Sequence, residues 1–389
     1  MSRKKASVNG NFKDIVNTVK FLTERKRFID SAAPVLPTRT DDFGVNKVAR
    51  SLHPKEQKLV IDRIEEHSDI AKSYYLRSEA APLACFKAGQ YLTFRLEIGS
   101  AVVTRSYSIA SSPASALNGE YQITVKRIAN GFVSDHILDN WAVGDKVTAY
   151  APEGNLTYNP LRDAETIVAI AGGSGITPFI SLARAIAQGD ENCSLTLLYG
   201  CRTPEEILFR SELDSLACES EKIKVVYVLS HSDEEGYEKG FIGADIIKKY
   251  APEGDYSIFA CGPEGLYKHL GSELPKLGKE KKFIRFEVFS SGKKADEQKD
   301  FSITVIDRGN ESVIKASSSE TVLCAFERAG IEVPARCHTG ECGFCRSKLV
   351  SGKVFIPEGE DKRRIADMQF NFIHPCCCYP ESDLVVRIN

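Results

Sequence analysis

Between residues 58 and 158, apolar and polar positions alternate in short runs. Runs of β-branched and aromatic residues bounded by turn residues are typical of strands. Gly89, Gly119 and Gly144 supply such turns. The pattern predicts an antiparallel barrel with a helix at 135–140. Its recognisable strands are 59–61, 91–96, 121–125 and 146–150.

A different pattern begins near residue 166, where short apolar runs alternate with longer amphipathic stretches. Strands that alternate with helices predict a parallel sheet with helices on both faces. The predicted strands are 166–171, 195–199, 224–229, 256–260 and 283–289. The predicted helices are a stretch that ends at 188, followed by 204–217, 244–250 and 264–273.

The C-terminal part shows period-two alternation again, at Phe301, Ile303 and Val305. The turn 308–310 (Arg-Gly-Asn) is typical of a hairpin. The segment 290–299 is rich in Ser, Gly and Lys, which indicates a flexible hinge before this part. The expected domains are a basic N-terminal extension 1–55, a barrel 56–160, an α/β domain 161–290 and a C-terminal domain 300–389.

The N-terminal extension is basic. Its first fifty residues hold 11 Lys and Arg against 5 Asp and Glu, a net charge of +6, which leaves −8 for the rest of a chain whose total is −2. A basic amphipathic helix in this extension can touch an anionic membrane or an acidic partner. Packing on its own protein is the more common arrangement, and we expect it here. Pro34 and Pro37 then indicate a linker. Before this linker, apolar residues of the extension recur at helical spacing: Phe12, Ile15, Val16, Val19 and Leu22.

Composition indicates a globular protein. Of the 389 residues, 42% are apolar and 27% are charged. We expect no transmembrane helix and no secretory signal, because the chain has neither a run of eighteen apolar residues nor an apolar N-terminal segment. Twelve cysteines without a signal indicate a reducing compartment, so we expect a cytoplasmic protein. We expect no nucleic-acid partner.

Three cysteines carry the most specific pattern. Cys337, Cys342 and Cys345 are separated by four and then two residues, and a fourth candidate follows about thirty residues later within 376–378. This is the plant-type ligand spacing for a [2Fe–2S] cluster. A zinc site more often pairs two Cys-x-x-Cys hooks, and a Rieske centre would need Cys-x-His pairs. A [2Fe–2S] cluster is therefore the preferred interpretation.

The same segment resembles plant-type ferredoxins beyond its cysteines. Residues 322–330 resemble the helix before the cluster loop, and 376–380 resemble the Cys-x-x-Tyr-Pro ending of that family. The resemblance implies a β-grasp domain with a last strand at 383–388. It also implies that Cys376 is the fourth ligand, while Cys377 and Cys378 are spare.

A second pattern lies in the barrel: 105–108 (Arg-Ser-Tyr-Ser) and 131–134 (Gly-Phe-Val-Ser). A flavin needs an aromatic face, a hydrogen-bond donor near N5, and cationic and N–H partners for its pyrophosphate. The two motifs resemble the flavin signature of the ferredoxin–NADP reductase superfamily. We expect FAD rather than FMN, because residues 131–134 offer a pyrophosphate site beyond Arg105. The implied flavin residues are Arg105, Ser106, Tyr107, Ser108, Gly131, Phe132, Val133 and Ser134.

The glycine-rich segment 172–178 resembles the nicotinamide-nucleotide loop of the same superfamily, and 261–263 (Cys-Gly-Pro) resembles its corner beside the nicotinamide. Glycines permit close approach of backbone to a pyrophosphate, and a helix N-terminus attracts it. Glu287 and Phe289 match the acidic and aromatic positions that end this domain. The implied nucleotide residues are Gly172, Gly173, Ser174, Gly175, Thr177, Cys261, Gly262 and Pro263.

The choice between NADH and NADPH depends on the residues after the second strand of this domain. Arg202 or Arg210 can meet a 2′-phosphate, whereas Glu205 or Glu206 would repel one. Because these features oppose each other, the sequence predicts weak discrimination.

The order flavin, nucleotide, cluster resembles reductases of the phenylacetyl-CoA epoxidase and ketosteroid hydroxylase type, over about residues 56–389. The implied fold is multidomain: an antiparallel flavin-binding barrel, a parallel α/β nucleotide-binding domain and a β-grasp ferredoxin domain. The implied function is hydride transfer from NADH or NADPH to FAD, then single electrons through the cluster to an external one-electron acceptor protein. That acceptor could be an oxygenase component or a reductive enzyme. An electron-channelling subunit and a redox sensor stay as alternatives.

Overall fold

The computed structural model describes residues 12–31, 43–79, 82–128, 131–288, 299–357 and 361–388. It separates into two compact units, Met1–Ala49 and Arg50–Asn389. Of the residues described, no helix combines the length and the apolar character that crossing a bilayer requires. The predicted domain boundaries remain predictions, and most of the predicted hinge lies outside the described residues.

The N-terminal extension contains helices α1 (Phe12–Ser31) and α2 (Gly44–Leu52). Three of the apolar side chains that the sequence assigns to a packed face are exposed: Val16 by 43%, Val19 by 57% and Leu22 by 55%. That this face packs on its own protein stays a prediction. The side chains of Phe12 and Ile15 lie outside the described part.

The flavin-type motifs lie in a six-stranded antiparallel sheet with strand order β4-β3-β6-β1-β2-β5. Its inward side chains form a hydrophobic core, in which Leu59, Tyr74 and Phe94 are completely buried. The predicted barrel is confirmed. The elements are β1 (Glu56–Ser68), β2 (Ala71–Ser78), β3 (Tyr91–Ile98), β4 (Ala101–Ser108), α3 (Pro113–Leu117), β5 (Glu120–Lys126), α4 (Phe132–Asn140) and β6 (Lys146–Tyr150).

A six-stranded parallel sheet follows, with strand order β10-β9-β8-β7-β11-β12. The predicted helix 204–217 is wrong in its first half. Phe209 has a φ of 58°, in the left-handed region, and it separates a 3₁₀ turn (Pro204–Glu206) from α6. The elements are β7 (Thr166–Gly172), α5 (Thr177–Ala187), β8 (Ser194–Cys201), α6 (Arg210–Glu219), β9 (Ile223–Leu229), β10 (Glu238–Lys239), α7 (Ala244–Tyr250), β11 (Ser257–Cys261), α8 (Glu264–Glu273) and β12 (Ile284–Glu287).

The C-terminal module is a five-stranded mixed sheet of order β14-β13-β19-β15-β17, in which β13 and β19 are parallel, beside a two-stranded sheet of β16 and β18. The predicted hairpin is present: Arg308 and Gly309 have φ values of 49° and 90°, as an I′-type turn requires. The elements are β13 (Asp300–Asp307), β14 (Asn310–Ser317), α9 (Val322–Arg328), β15 (Ser347–Ser351), β16 (Val354–Phe355), α10 (Ile365–Gln369), β17 (Phe372–Ile373), β18 (Tyr379–Pro380) and β19 (Leu384–Ile388).

Candidate active site

The cysteine loop runs from the end of α9 to the start of β15, and the fourth candidate lies in a short 3₁₀ turn, Pro375–Cys377. The Sγ atoms of Cys345 and Cys376 are 3.4 Å apart. The backbone N–H of Gly340 donates to the Cys376 sulfur at 3.2 Å, and that of Cys342 donates to the Cys337 sulfur at 3.4 Å. The loop thus turns N–H groups toward sulfurs, which stabilises thiolates.

The thiols also act on each other. Hydrogen bonds from the thiols of Cys342 and Cys376 lower the pKa of the Cys337 thiol. The thiol of Cys337 bonds to those of Cys342 and Cys376, and Cys376 contacts Cys345, so four thiols from two loops lie in one chain of contacts. Thiol donors with backbone N–H partners have the chemistry that a cluster held by thiolates needs.

Cys377 and Cys378 differ from Cys376 in their other partners, although the Cys377 thiol also contacts that of Cys376. Cys377 donates its S–H to the carbonyl of His374 at 3.4 Å. Cys378 is completely buried and packs in the core of the C-terminal module. Their placement supports Cys376 as the fourth ligand.

His374 is a residue that sequence reasoning missed. It is buried, and its Nδ1 lies 2.7 Å from the Gly340 carbonyl. Since a carbonyl can only accept, Nδ1 carries the proton. His374 thereby fixes the backbone of the cysteine loop, and a lone histidine in the sequence gave no indication of this.

A predicted flavin residue of the barrel contacts a predicted site residue of the nucleotide-binding domain. Ser108, the last residue of β4, donates its hydroxyl to Glu287 Oε2 at 3.1 Å. Glu287 ends β12 of the parallel sheet and is buried. Burial raises the pKa of Glu287 to about 8, although the Ser108 hydrogen bond acts in the opposite direction. Glu287 is therefore a neutral acid at neutral pH.

The glycine-rich loop forms a 3₁₀ turn, Gly173–Ile176, directly before α5. A Cβ on Gly175 would lie 2.1 Å from the carbonyl oxygen of Cys261, and one on Gly172 would lie 2.9 Å from Pro263 Cδ. The structure brings the loop and the Cys-Gly-Pro corner together, and these glycines are needed for that contact as well as for cofactor approach.

Tyr267, on α8, joins two predicted site elements and was also missed. Its hydroxyl accepts a hydrogen bond from the Gly262 N–H at 2.9 Å and donates one to the carbonyl of Glu287. A tyrosine within a helix usually packs in a core, so the sequence contains no signal for this role. Tyr267 holds the corner against the strand end that carries Glu287.

The cysteine loop packs on β4. Thr104 Oγ1 lies 3.1 Å from the Ala335 carbonyl and 2.9 Å from His338 Nε2, and Ser106 Oγ donates to the Arg336 carbonyl at 2.9 Å. Burial lowers the pKa of His338 to about 3, so the imidazole is neutral. Cys337 therefore lies between Arg336 and His338, which are both hydrogen-bonded to β4.

Comparison with known proteins agrees with this architecture. An oxidoreductase FAD-binding domain matches residues 59–158, an oxidoreductase NAD-binding domain matches 169–271, and a 2Fe-2S iron-sulfur cluster binding domain matches 305–381. The ferredoxin reductase component of 3-ketosteroid-9-alpha-monooxygenase from Mycobacterium tuberculosis is 30% identical over 317 residues, which cover 77% of this chain and 84% of the relative. The chain belongs to the ferredoxin–NADP reductase superfamily, in the branch with a C-terminal 2Fe-2S domain.

Other members of the superfamily cover similar shares of the chain. The glycine betaine monooxygenase reductase subunit of Chromohalobacter salexigens is 28% identical over 351 residues, 83% of this chain and 93% of the relative. The solved structure of phthalate dioxygenase reductase, described as a modular structure for electron transfer from pyridine nucleotides to [2Fe-2S], has a TM-score of 0.65 and 26% identity and covers 86% of this chain and 98% of its own. This protein is an NAD(P)H-dependent electron-transfer reductase that uses FAD and a [2Fe–2S] cluster.

The remaining predicted flavin residues of this reductase lie as follows. Tyr107 is partly buried beside Phe94, and burial raises the pKa of its hydroxyl. The Ser134 hydroxyl donates to the Gly131 carbonyl at 3.3 Å, so it closes the turn before α4. Arg105 bonds to Glu327 of the C-terminal module, and in the described residues no hydrogen bond joins Arg105 to the 131–134 turn. Phe132 is exposed and Val133 is buried.

The nucleotide residues also have local partners. Thr177 donates its hydroxyl to the Ser174 carbonyl at 2.7 Å. Arg202 is exposed just after β8, whereas Arg210 pairs with Asp214 at 3.8 Å. Glu206 pairs with Lys126 at 3.3 Å. Phe289 lies outside the described residues.

Proposed function

We propose that this reductase is the electron-donating component of an oxygenase system and that it passes single electrons to a separate oxygenase protein. One observation carries the proposal: the cysteine loop is bonded to β4 at residues 335–338, whereas its residues Glu341, Phe344 and Arg346 are exposed. The relatives named above are reductase components of monooxygenases and a dioxygenase. We propose an oxygenase as the acceptor because the chain is similar to these relatives.

When bound, NAD(P)H and FAD supply a two-electron hydride step, and the [2Fe–2S] cluster supplies one-electron transfer. The chain's own residues bind and orient these groups. Cys337, Cys342, Cys345 and Cys376 would hold the cluster, while Cys377 and Cys378 would not.

At the flavin, Tyr107 would supply the aromatic face and Arg105 a cation for the pyrophosphate, with Ser106 and the 131–134 turn beside them. At the nucleotide end, the 172–177 loop would hold the pyrophosphate. Cys261, Gly262 and Pro263 would face the nicotinamide, and Arg202 would meet the adenosine ribose. The Ser108 hydroxyl donates a hydrogen bond of 3.1 Å to Glu287. Because Glu287 is neutral near pH 7, this pair can hold a proton at the point where nicotinamide and flavin would meet.

The outer face of the cysteine loop would dock the acceptor. Arg336 is paired with Glu153 of the barrel and also lies over the Phe344 ring, and His338 is bonded to Thr104. These two residues therefore have partners within the protein. The exposed residues of the loop are Glu341, Phe344 and Arg346.

Substitution of Phe344, which is 46% exposed, tests this surface. In Phe344→Asp we expect NADH-driven reduction of cytochrome c, which stands in for a protein acceptor, to fall about tenfold, because an aromatic anchor is typically worth that much or more at an interface. Ferricyanide reduction should stay within about twofold. Phe241→Asp, at a residue that is 68% exposed on the parallel-sheet domain, is the control. If both variants reduce cytochrome c at the wild-type rate, this surface is not the exit.

A further inference from the structure

One buried carboxylate crosses from the C-terminal module to the flavin strand. Glu327 is in the last turn of α9, and its side chain is 8% exposed. Its two carboxylate oxygens lie 3.2 and 3.1 Å from Arg105 Nη1. The N–H of Thr104 donates to the same carboxylate at 3.4 Å. Glu327 is therefore bound to two successive residues of β4.

The position of β4 explains why this contact forms. β4 is an edge strand of its sheet. Alternate N–H groups of an edge strand point away from the sheet and need partners. Glu327 accepts one such N–H, from Thr104, and the loop after α9 satisfies the neighbouring hydroxyls of Thr104 and Ser106. The C-terminal module thus covers the edge of the strand on which the flavin motif lies.

The same interface contains a second ion pair with different surroundings. Arg95 and Glu332 are 3.3 Å apart, but the Glu332 side chain is 64% exposed. Exposed ion pairs contribute little to stability, whereas a buried carboxylate that loses its charge leaves its partner cation unpaired, which destabilises the fold more. Glu332 is therefore a suitable control for Glu327, because both carboxylates pair with an arginine at the same interface but only Glu327 is buried.

We propose that Glu327 is a positioning residue that holds the iron–sulfur module on the flavin strand and shares Arg105 with the flavin pyrophosphate. The proposal rests on the reductase activity of the family and does not depend on the class of acceptor. In the described residues, every hydrogen bond of Arg105 leaves from Nη1. An arginine has five donors, so Nε and Nη2 remain for phosphate oxygens.

Two opposite effects follow when Glu327 loses its charge. The cysteine loop loses an anchor on β4, so electron transfer from flavin to cluster should slow. At the same time, a negative charge is removed from beside the pyrophosphate, and Arg105 has one competitor fewer, so flavin should bind more tightly. If Glu327 contributed only to folding, its substitution would weaken flavin binding and lower every activity together.

The test compares Glu327→Gln with Glu332→Gln in the holoenzyme. For Glu327→Gln, rapid mixing with NADH should show flavin-to-cluster transfer slowed about tenfold, with ferricyanide reduction within about twofold of wild type. Flavin release measured by fluorescence should give a Kd about threefold lower. Hydrogen exchange at the Thr104 amide should be faster. Glu332→Gln should match wild type in all four measurements.

Equal flavin-to-cluster rates in the two variants would overturn the proposal, as would weaker flavin binding in Glu327→Gln. If Glu327→Gln loses its cluster, Glu327→Asp replaces it in the test, because aspartate keeps the negative charge on a shorter side chain. Transfer slowed in Glu327→Asp with the flavin Kd unchanged supports the positioning role, and an unchanged transfer rate refutes it. Because no oxygenase is present in these measurements, they can refute the role of Glu327 without refuting the proposal that the acceptor is an oxygenase.

Discussion

At the scale of single residues, Glu287 has the most informative environment. It is buried, its pKa is raised to about 8 by burial, and it accepts a hydrogen bond from Ser108 at 3.1 Å. An ordinary glutamate ionises near pH 4.5. Between these two pH values the folded protein binds a proton that the unfolded chain has released, so stability falls as pH rises through this window.

Glu287→Gln should remove that pH dependence. Relative to wild type, the variant should gain stability as pH rises from about 5 to about 8, by several kcal/mol at the upper end, since each pKa unit corresponds to about 1.36 kcal/mol. The apparent Tm of both proteins across this range is the measurement. Glu332→Gln, at an exposed position, should run parallel to wild type. A constant gap between wild type and Glu287→Gln would mean that Glu287 ionises normally.

At the scale of elements, the short turn Pro375–Cys377 gives three successive cysteines different partners. Cys376 lies 3.4 Å from Cys345, whereas the Cys377 thiol bonds to the His374 carbonyl. A local turn therefore separates residues that the sequence leaves nearly equivalent.

Serine substitution at each position tests this orientation. Cys376→Ser should lose most of its iron and visible cluster absorption, because an alcohol is a poor cluster ligand. Cys377→Ser should keep both, since a hydroxyl can replace the thiol as donor to His374. Iron content and the absorption spectrum measure the outcome. Cluster loss in Cys377→Ser with retention in Cys376→Ser would reverse the assignment.

The elements also show what a sequence can predict. Strands with clear alternation, such as β6, and helices such as α7 were predicted with the observed bounds. β2 and β4 were missed because lysine, arginine and serine interrupt their apolar residues, and they are held as strands by neighbours on the sheet. The break at Phe209 has no local signal, since aromatic residues rarely adopt a positive φ.

At the scale of the whole molecule, the modules and their order followed from motifs, but their contacts did not. Arg105 and Glu327 are 222 residues apart in the chain, and no periodicity relates them. Tyr267 and His374 likewise act through the fold. The residues that bind cofactors have motif spacing, whereas the residues that align one cofactor site with the next depend on tertiary packing.

The central claim for the whole molecule is that electrons leave through the cluster. Cys342→Ser tests it most directly, provided that bound FAD is confirmed by its absorption. NADH-driven reduction of cytochrome c should collapse, while ferricyanide reduction, which can draw on the flavin, should largely survive. If both activities survive unchanged, the cluster is not the exit and the account of this protein as an electron-transfer reductase with a cluster outlet is contradicted.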